Sequence, residues 1–142
     1  MKTSKETILK IIEIAKRSEI AYWAFEKKYY PDGEELDLDI LNPAHSETAE
    51  YRTMKATEKE LGEILSTLDL ESLKEIEALM YVGKDYRLDP ECPAFKAQDA
   101  FKSLYKDFSL RKGEDKDATI SQIMGKTSLG KYLRDGLDKL GI

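Results

Sequence analysis

IMGKTSLGKYLRDGLDKLG, residues 123–141, is the stretch that decides the fold. At about 100° per residue, Leu129, Leu133, Gly136, Leu137 and Leu140 gather on one side of a helix. A glycine inside a helix costs about 1 kcal/mol relative to alanine. Gly136 on the apolar side therefore implies a neighbouring backbone that has to come close. Gly125 stops the element before, and Thr127 or Ser128 starts the new one. The segment is expected to dock rather than trail.

Working outward, every other periodic stretch also reads as helix. Thr3 and Glu6 have capping-box spacing, opening a helix that runs to about Tyr30, where Pro31-Asp32-Gly33 stops it. Its main stripe is Ile8, Ile11, Ile12, Ala15, Tyr22, Trp23, Tyr29 and Tyr30, with Ile14 and Phe25 on one flank and Leu9 and Ile20 on the other. Residues 31–53 form a long irregular acidic segment in which Leu36, Leu38 and Ile40 alternate with acids. That period of two suits an extended segment pressing apolar side chains into a groove. A second capping box, Thr57 with Glu60, predicts a short helix through Leu61, Ile64, Leu65 and Leu68. Asp69 caps a third, ended by Gly83 in a left-handed turn. Pro93 starts a fourth, with Ala97, Ala100, Phe101, Leu104, Tyr105 and Phe108 on one face and Gly113 at its end. A brief helix over Ala118–Met124 precedes the terminal one. The expectation is an all-α, compact single-domain bundle of about six helices over residues 1–142, with a long helix and acidic linker in 1–56 and a helical region in 57–142.

Two stretches together resemble an uncharacterised bacterial family, domain-of-unknown-function family 3775. In the first, Ala78, Leu79, Met80, Tyr81, Val82, Gly83 and Lys84 match a helix ending in an aromatic, an aliphatic, glycine and a basic residue. In the second, Ile123, Met124, Gly125, Tyr132, Leu133, Gly136 and Leu137 match an apolar pair with glycine, a short cap and a helix carrying Tyr-Leu and Gly-Leu. The resemblance covers about residues 57–141. Members tend to have proline where this chain has Thr127 and arginine where it has Lys84. The resemblance implies a helical fold and no catalytic residues.

The totals narrow the function classes. A chain of 142 residues with 41% hydrophobic and 36% charged residues is ordinary for one globular domain. A net charge of −5 opposes nonspecific attachment to nucleic acid or anionic membrane. The acids are concentrated: Asp32, Glu34, Glu35, Asp37, Asp39, Glu47 and Glu50 fall in residues 31–50, without a Lys or Arg among them. No run of about 18 apolar residues is present for a membrane span, and the amphipathic first residues do not read as a signal peptide. The lone Cys92 fits a reducing, cytoplasmic setting.

Candidate chemistry is sparse. Glu19 and Glu26 interrupt the aromatic end of the first helix, and a carboxylate set against aromatics is able to serve as an acid. Seven residues separate them, roughly 10.5 Å along the axis, too far to share a metal. His45 beside Ser46 and Glu47 does not make a triad, whose members meet in space rather than in sequence. Cys92 lies near a helix start without a histidine fixed beside it. Gly125-Lys126-Thr127 lacks the upstream glycine and strand of a phosphate-binding loop, position 120 being Ile120.

The sequence thus predicts a cytoplasmic helical protein-interaction module, without catalytic activity, metal or cofactor. Tyr22, Trp23, Tyr29, Tyr30, Leu36, Leu38 and Ile40 are its expected partner-binding or self-association surface. The alternative is an enzyme using Glu19 or Glu26 in a pocket on the first helix. A lesser alternative is nucleic-acid binding through C-terminal basic residues such as Lys131 and Arg134.

Overall fold

Helix α3 (Leu70–Asp85) is the axis around which the other elements are arranged. It buries Leu73, Ile76, Leu79 and Met80 completely. The computed structural model describes residues 1–29, 48–87, 93–111 and 115–142. Within them lie α1 (Lys5–Tyr29), α2 (Ala49–Ser66), α4 (Pro93–Ser109), α5 (Lys116–Met124) and α6 (Leu129–Leu140), with no strand among the described residues. The all-α compact fold is as the sequence predicts. Helix α6 makes the most extensive contact with α3, while α4 and α5 also pack on α3 and α4 touches α6. Helix α1 lies against α2 and also reaches α6, which joins the two halves of the bundle. Leu129, Leu133, Leu137 and Leu140 all enter the main core beside Ile8, Ile11 and Ile12. Each such side chain contributes about 1.5–3 kcal/mol on burial, so the terminal stripe anchors the fold.

Gly136 and Gly83 explain how α6 reaches that position. A Cβ on Gly136 would lie 2.5 Å from the carbonyl oxygen of Leu79, and one on Gly83 only 1.7 Å from that of Tyr132. The two helices cross backbone to backbone, with a glycine from each at the crossing. The expected left-handed stop at Gly83 is corrected here: α3 continues to Asp85, and the sole described residue with positive φ is Gly141, at 73°. Gly83 is needed for clearance, not for a turn.

The ends of the helices correct two further expectations. Ser4, not Thr3, caps α1, its Oγ accepting from the Thr7 N–H at 3.1 Å. Thr3 is buried and donates from both its N–H and its hydroxyl to the Glu75 carboxylate, at 2.9 Å each, while the Lys2 N–H donates to the other oxygen at 2.6 Å. Thr57 does not start α2. The helix begins at Ala49 behind the Thr48 cap, and the Thr57 hydroxyl turns back to the carbonyls of Thr53 and Met54. A mid-helix threonine satisfied in this way leaves the helix continuous, which places residues 49–53 in α2 rather than in the linker. Asp69 caps α3 as expected, accepting from the Ser72 N–H at 2.8 Å. Helix α5 starts at Lys116, two residues earlier than expected, behind Asp115. Helix α4 ends at Ser109, and Gly113 lies outside the described residues.

Candidate functional site

The C-terminal half of α1 departs from the rest of the core. Its buried residues, Ala21 and Phe25, form a small separate cluster with Met54 of α2, flanked by Tyr22, Tyr29 and Tyr51. The stripe predicted through Trp23 is corrected by the burial pattern. Ile14 and Phe25 from its flank are inside, whereas Trp23 is 50% and Ile20 69% exposed. From Ala15 onward the buried line on α1 rotates toward α2, and the side carrying Ile20 and Trp23 is left outside.

Trp23 is exposed yet held. Its indole N–H donates to Glu19 Oε1 at 3.3 Å, and its ring meets Tyr22 edge-on with centroids 5.1 Å apart. The same Glu19 oxygen accepts from the Ser128 hydroxyl at 3.5 Å, just before α6 begins. Glu19 therefore ties α1 to the α5–α6 turn while fixing the indole. It also borders a small cavity of about 170 Å³ between α1, α2 and that turn, whose other polar lining includes Ser18, Glu58, Lys126 and Thr127.

Glu26 is not part of that cavity. Its Oε2 is buried without a hydrogen-bond partner among the described residues. The two glutamates of the enzyme alternative are thus not brought together. Tyr22 and Tyr29 are half-buried, and the Tyr29 hydroxyl donates to Glu50 Oε2 at 3.1 Å. The Lys28 ammonium, 2.6 Å from the same carboxylate, holds the Glu50 carboxyl below its ordinary range and is itself raised by it. Tyr29 serves the α1–α2 contact, so among the described residues Trp23 is the exposed aromatic of the predicted surface. Tyr30, Leu36, Leu38, Ile40, His45 and Cys92 lie outside the described residues. Ile20 was missed as a surface residue because its place beside the apolar stripe reads as core.

Of the C-terminal basic residues, Lys131 and Lys139 are engaged within the fold, whereas Arg134 is exposed and makes no ion pair among the described residues. Lys131 pairs with Asp135 at 2.7 Å. Lys139 donates to the carbonyls of Val82, Gly83 and Tyr86 at 3.2, 2.9 and 2.6 Å, closing the end of α3. Among the described residues no group of three or more His, Cys, Asp or Glu is placed to hold a metal ion, and no helix is long and apolar enough to cross a membrane. Comparison with protein-family models, with curated proteins and with solved structures gave no match.

Proposed function

We propose that this chain is a cytoplasmic, non-catalytic interaction module that associates through the outer side of α1. The observation that carries this reading is Trp23: a large aromatic, half-exposed, fixed by Glu19 and Tyr22, and adjacent to an exposed Ile20. Tryptophan and tyrosine are enriched among residues that dominate binding energy, and a side chain already ordered loses little freedom when a partner covers it. Scattered exposed apolar residues are normal on a protein surface; a pinned tryptophan beside one is less so. Leu36, Leu38 and Ile40, outside the described residues, are proposed as partner-binding residues on their sequence pattern alone. The residues behind the likeness to family 3775, Gly83, Tyr132 and Gly136 above all, meet at the α3–α6 crossing, so that likeness concerns packing.

Native mass spectrometry of protein purified gently from its host tests the reading. A stoichiometric second chain or a dimer is expected, lost on Trp23→Ser and on combined replacement of Leu36, Leu38 and Ile40 by Ser. A monomer throughout overturns it. The buried Glu26 oxygen favours one rival, in which Glu26 is reactive. Glu26→Gln separates the two: as a non-catalytic residue it loses nothing on this change and gains up to about 1 kcal/mol from removal of a poorly solvated charge.

A further inference from the structure

Four side chains on the outer side of α1 form a continuous stripe. At about 100° per residue, Lys16, Ile20, Trp23 and Lys27 fall within roughly 60° of arc, and all four are exposed. Lys16 and Lys27 bracket the apolar pair over about 16 Å of helix. Among the described residues, Lys10 of α1 pairs with Glu6, Arg17 with Glu60 and Lys28 with Glu50, while Lys5 in the first turn makes no pair. Lys16 and Lys27 make no such pair within the described residues. In a molecule of net charge −5, a lysine thus stands at each end of this apolar pair, with the Glu19 carboxylate held against the indole between them.

We infer that this stripe receives an acidic, apolar segment of a partner protein, with the apolar side chains on Ile20 and Trp23 and a carboxylate at each lysine. The inference rests on the interaction-module reading and adds the chemistry of the partner. The stripe's length matches about five residues of extended chain or about eleven of helix. Cations at both ends, without an ion pair among the described residues, fix the register of such a segment and repel a basic one, which is the contribution charges make at an interface. The Lys16 stem lies over Gly130 of α6, 2.9 Å from where a Cβ would stand. The base of one lysine is therefore already placed. An anionic membrane is disfavoured because two lysines supply only about 1 kcal/mol each at such a surface, against a protein that is negative as a whole.

The test uses the whole protein and its own reporter, since Trp23 is the single tryptophan. The probes are a synthetic peptide of about twelve residues alternating Leu with Asp and Glu, and a twin with every acid replaced by Lys. The acidic peptide is expected to shift Trp23 emission to the blue saturably, with affinity falling as salt rises. Lys16→Gln with Lys27→Gln, which keeps most of each stem, is expected to weaken binding at least about 10-fold with unchanged helicity. Equal binding of the twin, or no loss in the double variant, overturns the inference. So does a blue shift with phosphatidylserine vesicles and none with the acidic peptide. Native association lost on Trp23→Ser but kept in the double lysine variant leaves the interaction-module reading standing and removes the acidic partner alone.

Discussion

From Ile8 to Ala15, α1 drives its apolar residues into the core shared with α3 and α6. From Ile20 to Tyr29, the same helix fills only a small cluster with Met54 and Tyr51 of α2, and shows Ile20 and Trp23 to the outside. Hydrophobic content barely changes along the helix; what changes is how many neighbours are available to cover it. The first half is buried in the main core, and the second leaves apolar surface uncovered.

The largest effect is expected where the two best-buried helices touch. Gly83→Val drives a side chain into the Tyr132 carbonyl, costing about 3 kcal/mol or more, measured by urea denaturation followed by circular dichroism. A small loss would mean that α6 slides freely on α3. Next comes a direct contrast within the core. Leu133→Ala in the main cluster should cost about 3–4 kcal/mol, and Phe25→Ala no more than about 3 kcal/mol despite removing a larger side chain. A reversed order would show that the satellite cluster, not the α3–α6 seam, carries the stability of α1. Trp23→Ser should stay within about 0.5 kcal/mol of the parent while abolishing association. Should it destabilise strongly, the indole is structural and the contrast between the halves of α1 collapses.

The smallest effect is electrostatic. The Asp69 carboxyl is held at about 2, below its ordinary 3.8, chiefly by the Lys2 ammonium and then by the Ser72 N–H. Because the folded value is the depressed one, its contribution is complete above the unfolded value and is lost as pH falls from about 4 toward 2. Asp69→Asn should flatten that part of the acid limb of the stability curve. An unchanged limb would show that the bond to Lys2 does not persist in solution.

The residues that were legible in sequence are those whose role is local. The stripe of α6 and the Asp69 cap depend on spacing within a few residues. Gly83 was misread because a glycine that ends a helix and a glycine that admits a neighbour look alike until the neighbour is placed. Thr57 was misread because its spacing to Glu60 occurs equally well in mid-helix. At the candidate site, Glu19 and Trp23 were visible as a polar gap and an aromatic one turn apart, but the exposure of Ile20 was not. Exposure there depends on where α2 and α6 end up, which no periodicity in α1 encodes.

The central position of α3 also has a consequence for synthesis on the ribosome. Residues 70–85 emerge well before the helix that covers them, and Lys139, which closes the end of α3, follows later still. Until Leu129–Leu140 leaves the exit tunnel, Leu79 and the clearance at Gly83 face solvent. This domain therefore completes its core only after translation has passed α6, and nascent chains stalled upstream of that helix should engage chaperones that recognise uncovered apolar helices.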